Sequence, residues 1–229
     1  MDRLILWDFD GTLAFRPGMW RGCLIETLDA YEPGHSVCAD DLIPWLRDGF
    51  PWHAAETPHP QLGTAEAWWA HVGAVLRRAY ERVGLAPERA AELAVLARQR
   101  YVDCSVGWRL FDDTVPALEQ LAGAGWRHAI LSNHVPELPA LVEGLGLSSF
   151  VERTINSATT GYEKPHPEAF AVALRECGHP GEVWMVGDNP VADVAGAEAA
   201  GIPAILVRAD DGDSRRRAAT LLDVAAHVS

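Results

Sequence analysis

Lysine is almost missing from this chain. Of 19 basic residues 18 are arginine, and the single lysine stands at position 164. The bias fits an Arg- and Ala-rich, GC-rich coding background. Composition alone therefore leaves Lys164 open to two readings: a chance survivor, or a place where a compact ammonium is needed and a guanidinium does not fit. Basic charge is also short in total, 19 residues against 32 acidic ones for a net charge of −13. That deficit opposes binding to a nucleic acid polymer, whose phosphates are held by clustered Lys and Arg. The run Arg215-Arg216-Arg217 reads as the solvated first turn of a last helix rather than as an anion patch. Cysteine is scarce too. Cys23, Cys38, Cys104 and Cys177 include no Cys-x-x-Cys pair, which argues against a disulfide framework or zinc site and predicts reduced, mostly buried thiols. No apolar run reaches the length of a membrane span. The first one, Leu4–Trp7, is broken at once by Asp8 and Asp10, so neither a signal peptide nor a membrane partner is expected, and the expected location is the cytoplasm.

What is present is an ordinary globular balance over 229 residues, enough for one large domain or two small ones. Four short apolar runs, Leu4–Trp7, His128–Leu131, Val183–Val186 and Ala204–Val207, read as buried strands, with Val151–Ile155 as a further edge strand. Helical patterns over Thr114–Gly123, Pro136–Gly144, Pro167–Cys177 and Val191–Ala200 alternate with them. Alternation of this kind predicts an α/β fold, a Rossmann-like three-layer α/β/α core around a parallel sheet. Between the first strand and the rest lies a different region, residues 15–108. Trp68, Trp69, Val72, Val75, Leu76, Ala79 and Val83 recur there at helical spacing, Glu88–Tyr101 continues as a helix, and Arg21–Tyr31 and Asp40–Asp48 add two more. The Pro- and His-rich stretch Gly49–Gly63 reads as a loop. The expected division is a core of residues 1–14 and 109–229 with a helical insertion of residues 15–108.

Ligands of open parallel sheets bind at the carboxyl ends of the strands. Asp8 and Asp10 follow the first strand, Ser132 and Asn133 the second, and Asp188, Asn189 and Asp193 the third; Lys164 precedes the helix at Pro167. Carboxylates crowded at one edge destabilise a fold unless a cation neutralises them. A bound Mg²⁺, which prefers hard oxygen ligands, accounts for them. Lys164 and the Ser132 hydroxyl then suit an anionic phosphoryl group beside the metal.

In these residues the sequence resembles the haloacid-dehalogenase-like superfamily, in its subclass with a helical cap inserted after the first motif. Asp8-Phe9-Asp10-Gly11-Thr12-Leu13 matches the first motif, Leu131-Ser132-Asn133 the second, Gly161–Pro167 the third and Gly187–Asp193 the fourth. The resemblance implies a phosphatase in which Asp8 attacks phosphorus and Asp10 serves as general acid, then base. It implies that Asp8, the Asp10 carbonyl and Asp188 hold Mg²⁺. Ser132, Lys164 and the backbone near Phe9 and Asn133 would bind the phosphoryl oxygens, with Asp193 and Asn189 supporting them from behind. A cap closing over the site implies a small phosphorylated metabolite as substrate, and Arg16, Trp20, Arg21, Trp45 and Arg47 are its candidate contacts.

Blander readings exist for single motifs. Asp-Gly is a common strand-closing turn, Ser132-Asn133 can be a helix cap, and Asp193 can be an ordinary first-turn acid. His134 reads as a bystander near the entrance, His53, His59 and Cys38 as loop residues without metal spacing, and Trp68-Trp69 as packing within the insertion. Among related chemistries, Asp10 argues against dehalogenation, which protonates no alkoxide, and the solitary Lys164 leaves no second lysine for a Schiff base. A sugar-phosphate mutase and a non-catalytic phosphate-binding relative remain as alternatives.

Overall fold

A computed structural model describes residues 2–209 and 214–228. The chain runs β1 (Arg3–Trp7), β2 (Ala14–Phe15), α1 (Met19–Tyr31), α2 (Ala39–Leu46), α3 (Ala65–Arg82), α4 (Pro87–Val102), β3 (Arg109–Leu110), α5 (Thr114–Gly123), β4 (Arg127–Ser132), α6 (Leu138–Gly144), β5 (Arg153–Asn156), α7 (Ser157–Thr160), α8 (Pro167–Glu176), β6 (Glu182–Gly187), α9 (Gly196–Ala199), β7 (Ala204–Val207) and β8 (Arg217–Ala218). Six strands form one sheet in the order β5-β4-β1-β6-β7-β8, and every pairing in it is parallel. No helix of the described residues is long and apolar enough to cross a membrane.

Successive side chains of a strand point to opposite faces, and β1 shows where each face goes. Leu4 and Leu6 join Phe170 and Ala173 of α8 and Ala197 of α9 in one apolar cluster. Ile5 and Trp7 join Ala117, Leu118 and Leu121 of α5 in the other. All four β1 side chains are fully buried, as expected of a central parallel strand covered by helices on both faces. The result is a three-layer α/β/α arrangement. Helices α1 to α4 lie between β2 and β3, which pair antiparallel (Ala14 with Leu110, Phe15 with Arg109) and close the base of the insertion. The second cluster continues through Phe9, Trp108 and Tyr101 into Trp20, Leu24, Trp68 and Leu76 of the insertion, so insertion and sheet share one apolar core.

Several local expectations need correction. The expected helix start at Pro136 moves to Leu138, with Pro139 in its first turn. The expected helix Val191–Ala200 is split. Over Pro190–Ala195 it opens into a wide turn in which the amides of Asp193 and Val194 both reach Asn189 O, at 3.0 and 3.3 Å, and only one ordinary turn, α9, follows. The stretch 49–63 contains two tight helical turns, Pro51–Ala54 and Pro60–Leu62. Arg215–Arg217 do not open a helix. Arg217 lies in strand β8, and the last helical turn starts later, at Leu221. All four cysteines are free, but only Cys23 and Cys177 are buried.

Candidate active site

The parallel sheet brings the residues of four separate segments to its carboxyl edge. Asp8 leaves β1 with its amide still bonded to Val186 O of β6 at 2.9 Å, so its side chain starts from a fixed backbone. Ser132 ends β4, and its hydroxyl donates to Asp8 Oδ1 at 2.8 Å. Lys164 Nζ donates to the same oxygen at 2.8 Å and to Asp193 Oδ1 at 2.5 Å. The other Asp193 oxygen accepts from the Asn189 amide at 2.9 Å. Ser132, Lys164 and Asp193 are 1 to 2% exposed and Asp8 is 8% exposed, so the ammonium sits between two carboxylates with little water to screen it.

Backbone clamps hold this arrangement. Asn133 Nδ2 donates to Lys164 O at 2.8 Å, and the Lys164 amide donates back to Asn133 Oδ1 at 2.7 Å. Asn189 accepts the amides of Val191 and Ala192 at 3.0 and 2.9 Å and so caps the wide turn that carries Asp193 inward. Two glycines make room for the carboxylates. A Cβ on Gly11, whose φ is +82°, would lie 2.3 Å from Asp188 Oδ2, and one on Gly187 would lie 2.1 Å from Asp193 Oδ2. A glycine at either position is therefore a condition of the site's geometry.

Charge is unbalanced here. One oxygen each of Asp8, Asp188 and Asp193 lie within 4.8 Å of one another, and Asp10 adds a fourth carboxyl against a single ammonium. Burial, then the charges of Asp8 and Asp193, push Asp188 up to about 7. Burial, then Asp8, raise Asp193 to about 6 despite Lys164. Asp10 rises well above the usual carboxylate range through burial and the charges of Asp8 and Asp188. For Lys164, burial works toward the neutral amine, but Asp193 and Asp8 outweigh it and raise its pKa. A hard-oxygen cluster with excess negative charge is the chemistry of a divalent-cation site.

A cavity of about 400 Å³ opens on this cluster, and Asp8, Asp10, Ser132, Asn133, Lys164, Asp188, Asn189 and Asp193 all line it. Phe9 is buried behind them, 5.3 Å from the His134 ring. Of the insertion residues expected at the substrate, Trp20 lines the cavity and four do not. Arg16 is 2% exposed, 2.5 Å from Glu26 Oε2, with its guanidinium 5.9 Å over the Tyr101 ring. Arg21 and Arg47 line a separate surface depression, and Arg82 covers Trp45 at 5.1 Å. Helical rotation explains Arg21: the residue after an inward-facing Trp20 points about 100° away.

Unforeseen walls come from Met19, Trp52, Ala55 and Tyr101. Trp52 belongs to the stretch read as a plain loop, and nothing in its local sequence marks it. His134 is not at an entrance. Its ring is buried against Phe9, Tyr101 and Trp108, and neither nitrogen has a hydrogen-bond partner. Burial lowers its pKa to about 4. Trp68 and Trp69 are buried away from the cavity, Trp69 donating to Glu137 at 2.9 Å.

A family model described as haloacid dehalogenase-like hydrolase matches residues 3–201. A phosphoserine phosphatase of Thermus thermophilus is 38% identical over 58% of the chain, a match that spans 53% of that protein's length. A phosphoglycolate phosphatase of Rhodospirillum rubrum is 33% identical over 96% of the chain and 85% of its own length. Among solved structures, the HAD-hydrolase YfnB of Bacillus subtilis, bound to magnesium, superposes with a TM-score of 0.73 at 17% identity, covering 99% of this chain and 98% of that one.

Proposed function

The chain belongs to the haloacid dehalogenase-like hydrolases, and from that premise we propose that it is a phosphatase that cleaves a small phosphomonoester through an aspartyl-phosphate on Asp8. One observation carries this reading. Two donors of an anion site, the Ser132 hydroxyl and the Lys164 ammonium, converge on a single oxygen of Asp8, and a second carboxyl, Asp10, lines the same cavity. The names of the phosphoserine and phosphoglycolate phosphatases among its relatives support phosphomonoesters as the class.

The two carboxyls occupy opposite environments, which divides the work between them. Asp8 accepts hydrogen bonds from an ammonium and a hydroxyl on one of its oxygens. Asp10 is pushed toward its protonated form. In the first half-reaction a carboxylate oxygen of Asp8 bonds to phosphorus, the ester P–O bond breaks, and Asp10 gives its proton to the departing alkoxide. In the second, Asp10 takes a proton from water, whose oxygen bonds to phosphorus as the Asp8 O–P bond breaks and free phosphate leaves. Ser132 and Lys164 donate to phosphoryl oxygens, where transition-state charge is spread. Asp193 aims Lys164, and Asn189 steadies Asp193.

The crowded carboxylates fit a divalent cation. Asp8, the Asp10 carbonyl and Asp188 would hold Mg²⁺, which when bound supplies neutralising charge to the phosphoryl oxygens. Residues 15–108 would serve as the cap, since Met19, Trp20, Trp52 and Tyr101 form the far wall of the cavity.

Asp8→Asn tests the reading. Hydrolysis of p-nitrophenyl phosphate with Mg²⁺ is expected to disappear while the circular dichroism and melting of the protein persist. Undiminished turnover in that variant would overturn the mechanism.

A further inference from the structure

We infer that the substrate is the phosphomonoester of an uncharged, ring-sized alcohol with an apolar face, and that short phosphorylated acids and bisphosphates are poor substrates; the inference rests on the phosphatase reading above. Among the described residues lining the cavity, Lys164 is the only Lys or Arg. Its ammonium already lies against Asp8 and Asp193 at 2.8 and 2.5 Å and is committed to the phosphoryl end. A carboxylate or second phosphate on the alcohol part therefore finds no further Lys or Arg among the described lining residues, and an unpaired charge in the cavity disfavours binding.

Nearby candidates for that second cation are turned away. Arg16 is buried behind Tyr101 and paired with Glu26. Arg98 lies 4.8 Å over the Trp69 ring and pairs with Glu137. His134 does line the cavity, but both of its ring nitrogens are buried without partners, an environment that disfavours the imidazolium.

The far wall of the cavity is aromatic. Tyr101 and Trp20 are stacked at 3.8 Å with 2° between their planes; Trp20 continues to Phe50 at 5.2 Å, and Phe50 stacks on Trp52 at 4.7 Å. Three of these four rings line the cavity, as do the apolar side chains of Met19, Val135 and Val191. The rings fix one another, so the apolar face exists before a ligand arrives and little ordering cost remains for binding. A volume of about 400 Å³ holds a phosphoryl group and a ring. Among the described residues this wall contributes no Lys or Arg to pair with the carboxylate of a phosphoserine or a phosphoglycolate.

The test is kcat/KM, measured by phosphate release from the full chain with Mg²⁺. One panel contains phenyl phosphate, p-nitrophenyl phosphate and a hexose 6-phosphate. The other contains 2-phosphoglycolate, O-phosphoserine and a hexose 1,6-bisphosphate. At least a tenfold advantage for the uncharged panel is expected, expressed mainly in KM; the aryl and hexose members separate a flat hydrocarbon face from a polyol face. Trp52→Ala is expected to raise KM for the uncharged panel several-fold with kcat little changed. Equal or better turnover of the acids, or a KM indifferent to Trp52→Ala, would overturn the inference and leave the phosphatase reading standing. No hydrolysis of any member would overturn both.

Discussion

His59 Nε2 lies 2.9 Å from Glu163 Oε1 in a contact where both side chains are buried, and Glu163 immediately precedes Lys164. The His59 amide also donates to Gly161 O at 2.9 Å, so a turn of the insertion is docked by side chain and backbone onto the loop that presents the lysine. Glu163 Oε2 has no hydrogen-bond partner among the described residues, so removing the imidazole takes away the carboxyl's one side-chain partner. His59→Ala is expected to cost about 1–3 kcal/mol in urea unfolding. It is also expected to lower kcat roughly tenfold with KM nearly unchanged, because Lys164 loses its aim rather than the cavity its shape. His59→Gln, which keeps a donor there, should recover most of kcat. An Ala variant that unfolds more easily but turns over normally would reduce the contact to packing.

Lys164 is the site's only ammonium, and its Nζ fits between Asp8 and Asp193 at 2% exposure. A guanidinium is wider, planar and cannot place one nitrogen at both distances without moving a buried neighbour. Lys164→Arg is therefore expected to lose about 10²- to 10³-fold in kcat/KM, close to the loss in Lys164→Ala. Steady-state kinetics of the two variants decide it: near-normal activity in the Arg variant would return Lys164 to an accident of composition.

The carboxylate cluster predicts a metal effect on stability that needs no turnover to observe. With Asp188 raised to about 7 by burial and its neighbours, a bound cation relieves repulsion in the folded state. Mg²⁺ at about 100 times its Kd should stabilise by about 2.7 kcal/mol. Asp188→Asn is expected to raise the melting temperature in EDTA and to abolish most of the Mg²⁺-dependent rise. Because the raised pKa makes the metal compete with a proton, the rise in wild type should shrink as pH falls below about 7. A melting temperature identical in EDTA and Mg²⁺ across this range would count against the metal site.

Much of the frame was legible because parallel-sheet strands are apolar on both faces and end abruptly in polar residues. Ala204–Val207 and Thr114–Gly123 coincide with their expected limits for this reason. What could not be read depends on contacts between distant residues. The wide turn over Pro190–Ala195 follows from Asp193 being drawn to the Asn189 amide and Lys164, which no local propensity encodes. His59 and Glu163 are 104 residues apart, so a Pro- and His-rich stretch looked like bare loop. The arginines expected at the substrate lie off the cavity lining for a related reason: charge suggests a ligand, but Glu26 and Asp40 pair with Arg16 and Arg21. Trp52 and Tyr101 reach the cavity only through the stacked series of rings.

Burial sets the sign of the pH effect at His134. The ring sits among Phe9, Tyr101 and Trp108 with both nitrogens unpartnered, and its pKa is lowered to about 4, against about 6.5 in an unfolded chain. Between those values the unfolded state binds the proton and the folded state does not. This group's contribution to stability is therefore complete above about pH 6.5 and is lost as pH falls toward 4, by up to about 1.4 kcal/mol per pH unit. The raised carboxyls of the site act in the opposite direction, so the wild-type profile alone cannot isolate the imidazole; the difference between wild type and His134→Phe can. Phenylalanine keeps the ring and removes two buried polar atoms, and it is expected to stabilise the protein by about 1–3 kcal/mol at neutral pH. The gap should widen as pH drops from 6.5 toward 4. Urea unfolding of both proteins at pH 7.5, 6 and 5 measures it. A gap that stays constant or narrows with falling pH would show that the ring accepts its proton in the folded state as readily as in the unfolded one.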